Sequence, residues 1–144
     1  MADDTVPLLR VEALRRYYER GAVRALDGVS FQAGVGEVVA ISGPSGCGKS
    51  TLLSLIGLLD RPTGGRVLID GQNLATVRRP AAFRARRVGF VFQFHHMVPS
   101  MTLLENAAAP MIGLGVRRAE RKARAREMLE RMGLGHRADF LPAR

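Results

Sequence analysis

The 144-residue chain has a single cysteine, Cys47. That excludes a disulfide framework within the chain and a metal site built from several thiolates. No apolar run approaches the roughly 18–20 residues a helix needs to cross a bilayer. The opening Met1-Ala2-Asp3-Asp4 is acidic and lacks the basic-then-apolar pattern of a secretory signal. The expected compartment is therefore the reducing cytoplasm. Internal repeats and low-complexity tracts are absent too. Acidic residues are few, 13 against 22 basic, for a net charge of +9. Lysine is scarce: apart from Lys49 and Lys122, the 22 basic residues are arginines. An Arg excess with Ala and Gly is the codon imprint of a GC-rich genome. It is equally a composition that attracts phosphates, a nucleic acid or a lipid surface. What is present, 47% apolar and 24% charged residues, is the balance of one globular domain and excludes disorder.

Apolar periodicity divides the chain into elements. Leu8 to Leu14 and Ala25 to Phe31 read as strands, and Glu37 to Ser42 as a short buried strand that stops at glycines. Ser50 to Leu59 reads as a helix with Leu52, Leu53, Ile56 and Leu59 on its apolar face. After the turn Pro62 to Gly65, Arg66 to Ile69 reads as a strand closed by the hairpin pair Asp70-Gly71. Pro80 to Arg87 reads as a short basic helix and Val88 to Gln93 as another buried strand. Thr102, with Glu105 three residues on, has capping-box spacing for a helix reaching about Gly113. Arg117 to Met132 predicts a helix with the stripe Ala125, Met128, Leu129 and Met132, stopped by Gly133. The order implies an α/β fold with a partly parallel sheet.

The most specific motif is Gly43-Pro44-Ser45-Gly46-Cys47-Gly48-Lys49-Ser50, which fits G-x-x-x-x-G-K-[ST] without mismatch. At about 6–7% per residue type, chance gives one such match in roughly a few hundred chains of this size. It also lies between a predicted strand and a predicted helix, the context the motif needs. A triphosphate concentrates negative charge. Glycines let backbone N–H groups approach its oxygens where a Cβ would intervene, and the helix points its positive end at the same place. Lys49 supplies a mobile cation for the β/γ-phosphates, Ser50 a hydroxyl for Mg²⁺, and Thr51 a hydroxyl for the α-phosphate. Cys47 contributes backbone here, a redox role being the less favoured reading despite the thiol's place at a helix N-terminus.

Further spaced elements accompany the loop. Tyr18 falls four residues after Leu14, ahead of Leu26-Asp27-Gly28-Val29-Ser30-Phe31. Gly57-Leu58-Leu59-Asp60-Arg61-Pro62-Thr63-Gly64-Gly65, Ile69-Asp70-Gly71 and a strand ending at Gln93 follow. Together, from Leu8 to Arg144, they resemble the ATP-binding subunit of ABC transporters. The resemblance implies a P-loop NTPase nucleotide-binding domain, its N-terminal half only, with a small antiparallel β subdomain. It implies ATP and Mg²⁺ as cofactors, with Gly43 to Thr51 as the nucleotide loop and Tyr18 stacking on adenine. Tyr17, adjacent, could exchange roles with Tyr18. Gln93 becomes the glutamine at the start of a mobile loop, holding Mg²⁺ or the attacking water, so that Lys49 and Gln93 are the expected catalytic residues and Ser50 and Gln93 the Mg²⁺ ligands.

Phe94-His95-His96-Met97-Val98-Pro99 and Gly133 to Ala138 resemble the lipoprotein-releasing branch, related to macrolide-export ATPases. Neighbouring histidines rarely converge on one ion, so a metal site is not expected there. On this resemblance the segment Phe94 to Pro99 faces a transmembrane permease subunit. The whole then works as a homodimer of nucleotide-binding subunits, peripheral on the cytoplasmic face of the inner membrane. The family's Leu-Ser-Gly-Gly signature, the later strand ending in Asp-Glu and the switch histidine do not occur within these residues. The expectation is a fragment or a truncated product that binds ATP without turning it over, with Val88 to Phe92 left as an apolar edge. Two other readings stand beside it. One is a soluble ABC-type ATPase acting on nucleic acid through Arg78, Arg79, Arg84, Arg86 and Arg87, against which no interleaved aromatics are found. The other is a remnant without function.

Overall fold

The computed structural model describes residues 7–94 and 96–142. The acidic start Met1 to Asp4, His95 of the histidine pair, and Ala143-Arg144 lie outside the described residues. The chain divides into two compact units, Met1–Pro80 and Ala81–Arg144.

The first unit is a four-stranded antiparallel sheet with one α-helix. Strands β1 (Leu9–Tyr18), β2 (Val23–Ala33), β3 (Gly64–Ile69) and β4 (Gln72–Asn73) take the order β2-β1-β3-β4. A register break in β1 between Val11 and Leu14, with Ala13 at φ 44°, lets both turn inward, where they are buried with Leu26 of β2 and Val67 of β3. The β3–β4 turn is Asp70-Gly71, both residues at positive φ (51° and 73°), the conformation a two-residue hairpin demands. Helix α1 (Lys49–Ile56) adds the buried Leu52 and Leu55. The 60–63 loop is tied to the end of β1, because Thr63 N–H donates to Arg15 O (2.9 Å) and Tyr17 N–H donates to Thr63 Oγ1 (3.2 Å).

In the second unit α2 (Pro80–Arg87) and α4 (Arg118–Arg131) follow the predicted spans closely, while α3 (Leu103–Ala108) starts where predicted and ends short of Gly113. The capping box on α3 forms as its spacing predicts: Thr102 Oγ1 accepts from Glu105 N–H (3.2 Å) and Glu105 Oε2 from Thr102 N–H (3.0 Å). Pro110, which has no N–H to give Asn106 O, ends α3 and hands the chain to a 3-10 segment, so the predicted helix is two pieces. Leu104, Ala108, Ala125, Leu129 and Ala138 make the core of this unit.

Three expectations are corrected. Segments 37–42 and 88–93 are not strands, and among the described residues the sheet has no parallel pair. Their composition suits a buried strand, but a strand exists only when a neighbour accepts its ladder bonds, and Val38 is 94% exposed and Val91 fully exposed. Helix α1 ends at Ile56, before the predicted Leu59, and Leu53 and Leu59 are exposed while Leu55 is buried. On α4, Met128 and Met132 are exposed, so the buried stripe narrows to Ala125 and Leu129.

Candidate nucleotide site

The loop Gly43–Gly48 leads into α1 with Gly48 as its N-terminal flank. Gly48 has φ 95°, and a Cβ there would lie 2.3 Å from Ala25 O. Only glycine brings the helix start this close to β2. A cavity of about 300 Å³ opens at that point, lined by Ala25, Ser45, Gly46, Gly48, Lys49, Ser50 and Thr51. None of these carries a carboxylate. The lining offers a cation, hydroxyls and the first N–H groups of α1, which have no acceptor inside the helix. That set fits an anion of several oxygens and would repel a cation unaccompanied by one. Lys49 folds back on its own loop, Nζ donating to Gly43 O (2.8 Å) and Pro44 O (2.7 Å). These neutral acceptors hold the ammonium beside the cavity and are weaker partners than a phosphate oxygen. Cys47 is exposed, with Sγ 3.7 Å from Lys49 Nζ.

The predicted residues thus fall into separate groups. Ser45, Gly46, Gly48, Lys49, Ser50 and Thr51 converge on one cavity, while Tyr17 and Tyr18 do not line it. Tyr18 OH donates to Asp60 Oδ2 (3.2 Å), and the Arg16 guanidinium lies over its ring, 4.5 Å from the centroid. Arg16 Nε is 2.9 Å from Asp60 Oδ2. That contact is an ion pair off the N–H axis, which leaves the buried Nε–H without an aligned acceptor. The Tyr18 hydroxyl, and behind it the Asp60 charge, hold the Arg16 guanidinium above its ordinary pKa against the opposing effect of burial. In the sequence Asp60 stands only within the motif Gly57 to Gly65, and Arg16 has no motif of its own. A basic residue two before an aromatic carries no signal until the fold returns Asp60 to it.

Gln93 lies exposed at a bend in the second unit. In the same unit the Phe90 and Phe92 rings stack (5.3 Å, interplanar 6°) and His96 meets Phe92 edge-on at 5.2 Å. Asn106 holds the segment that follows. Its Oδ1 accepts from Val98 N–H (2.8 Å), and its Nδ2 donates to Val98 O (3.1 Å), Met101 O (2.9 Å) and Thr102 O (3.0 Å).

The sequence profile of the ABC transporter family matches residues 26–143. The chain belongs to the ABC transporter family. An ABC transporter ATP-binding protein of Thermotoga maritima is 51% identical over 131 residues, covering 88% of this chain and 56% of the relative. The lipoprotein-releasing system ATP-binding protein LolD 2 of Caulobacter vibrioides is 46% identical over 141 residues, covering 95% and 62%. Among solved structures, the dimeric post-hydrolysis ATP-binding cassette MJ0796 with ADP and Pi superposes with a TM-score of 0.83 at 35% identity, over 94% of this chain and 62% of that one. The fold is therefore that of an ABC ATPase nucleotide-binding domain over the matched portion. The chain spans about 56–62% of the length of these relatives. Among the described residues no helix is long and apolar enough to cross a membrane, and no cluster of three metal-ligating side chains occurs.

Proposed function

We propose that residues 1–144 are part of the nucleotide-binding domain of a transport ATPase that binds ATP with Mg²⁺ on the loop Gly43 to Thr51. The observation that carries this is the carboxylate-free cavity at the start of α1, with Lys49 and the three hydroxyls of Ser45, Ser50 and Thr51 at its wall. Lys49 exchanges loop carbonyls for phosphate oxygens, and Gly43, Pro44, Gly46, Cys47 and Gly48 contribute backbone. Ser50 is the proposed Mg²⁺ ligand of the loop. Mg²⁺ commonly takes few protein ligands beside substrate phosphates, so a dense acidic cluster is not required. The ion, when bound, neutralises charge on the transferred phosphoryl group. Tyr18 is the proposed platform for adenine, which stacking binds without reading base edges.

The physiological role we infer is ATP-driven lipoprotein release from, or export across, the inner membrane, as the name of the Caulobacter relative suggests. In that reading the subunit is a homodimer peripheral on the cytoplasmic face, and its exposed Phe94, Met97 and Val98 meet a permease subunit.

Two measurements test the site. In a calorimetric titration with ATP-Mg²⁺, Lys49→Ala is expected to weaken binding by on the order of 2–5 kcal/mol, because the phosphate charge loses its counter-charge. An unchanged dissociation constant would remove the loop assignment. Phosphate release from the 144-residue protein is expected to stay at the level of that variant, since Lys49 and Gln93 alone do not supply a general base. Sustained turnover, lost on Lys49→Ala, would overturn that part of the reading.

A further inference from the structure

Tyr18 is held on two sides. Its hydroxyl donates to Asp60 Oδ2 (3.2 Å), and one face of its ring is covered by the Arg16 guanidinium at 4.5 Å. The same Asp60 oxygen lies 2.9 Å from Arg16 Nε, so one carboxylate orients both partners. The Arg16 and Asp60 side chains are only 22% and 30% exposed. The guanidinium covers one face of the ring, and Tyr18 as a whole is 36% exposed. The 60–63 loop that carries Asp60 is itself bonded to the end of β1, so the arrangement is fixed at backbone level.

From this triad we propose that Arg16 and Asp60 are positioning residues for a nucleobase on the free face of Tyr18. Asp60 sets the tilt of the ring through its hydroxyl and keeps Arg16 on the opposite face, so that the base has one face to choose and meets a ring that does not rotate. The proposal rests on the reading of Tyr18 as the base platform. Pre-set geometry matters because an aromatic that must be ordered on binding spends part of its stacking energy on that ordering. A cation over an aromatic face holds it by an amount equivalent to about 2- to 30-fold in an equilibrium.

The test compares ATP with inorganic tripolyphosphate, which has the phosphates and no base. The chain has two tyrosines and no tryptophan, so Tyr17→Phe leaves Tyr18 as its only tyrosine emitter. In that background ATP is expected to quench tyrosine emission and tripolyphosphate to leave it unchanged. Arg16→Met and Asp60→Asn are each expected to weaken ATP by about 3- to 10-fold, within the range for a cation–aromatic contact. Both should leave tripolyphosphate affinity as it was, and the double variant should lose no more than the larger single loss. Asp60→Asn keeps the size of the side chain, so it reports even if Arg16→Met does not fold. Equal losses for both ligands would show a merely structural role and overturn the proposal. So would a selective loss in Tyr18→Ala that neither Arg16→Met nor Asp60→Asn reproduces. If Tyr18→Ala itself loses nothing selectively, the platform reading has failed and this proposal with it. A parent protein that binds neither ligand overturns the loop assignment and, with it, this proposal.

Discussion

Tyr17 and Tyr18 are adjacent on β1, and adjacent strand residues leave on opposite faces. Tyr17 takes partners unlike those of Tyr18: its hydroxyl donates to Asp27 Oδ1, and Arg24 lies over its ring at 5.6 Å. The hydrogen bond from Tyr17 first, and then the nearby Arg24 and Arg15, hold the Asp27 carboxyl below its ordinary 3.8. The same bond first, then burial and the Asp27 charge, hold the Tyr17 phenol above its ordinary 10.0. The signs are opposite at the two ends. The Asp27 contribution to stability is complete above 3.8 and is lost as the pH falls through its lower folded value. The Tyr17 contribution is complete below 10.0 and is lost as the pH rises through its higher folded value. With Tyr18→Phe isolating Tyr17, its phenolate absorbance is expected to appear above the ordinary range. Asp27→Ala should return it downward, and the same midpoint in both proteins would mean the bond does not persist in solution.

At the scale of elements, Asn106 does for a loop what a cap does for a helix. One carboxamide on α3 takes up backbone groups of Val98, Met101 and Thr102 and so fixes the segment that leads from the exposed Phe94-to-Pro99 stretch into the helix. Asn106→Ala is expected to cost about 1–3 kcal/mol, because several backbone groups lose a partner at once. Amide exchange at Val98 should accelerate, and retained protection there would show that the segment is held by something else. The elements that sequence reading placed well are those whose signals are local. The Thr102–Glu105 box, the Asp70-Gly71 turn and Gly133, where Leu134 N–H reaches Leu129 O at 2.7 Å, each act within a few residues. The convergence of Ser45, Gly46, Gly48, Lys49, Ser50 and Thr51 on one cavity has the same local origin: they are close in sequence, and the chain's own turn brings them together. Segments 37–42 and 88–93 were misread because a strand is a relation between two segments, and their composition contains only one side of it. Arg16 and Asp60 were invisible as a pair because they are distant in sequence and only the tie of Thr63 to β1 brings them together.

For the molecule as a whole, a net charge of +9 opposes association. Against it stands one uncharged window, Val88-Gly89-Phe90-Val91-Phe92, with no proline, outside any strand and with Val91 fully exposed. A short apolar, strand-prone window of this kind pairs readily with a copy of itself, and charge elsewhere on the surface does not protect it. Val91 makes the better test because its side chain buries nothing, whereas Phe90 and Phe92 stack on each other. Val91→Lys adds a charge in the middle of the window and removes no buried contact. It is expected to change the stability by no more than about 0.5 kcal/mol, as for an ordinary surface substitution. The soluble fraction on expression and the concentration at which light scattering rises should both increase. A melting temperature lowered by the cost of a buried lysine, with no gain in solubility, would mean that Val91 is packed against something in solution. The window would then be a strand with a partner after all, as its composition first suggested.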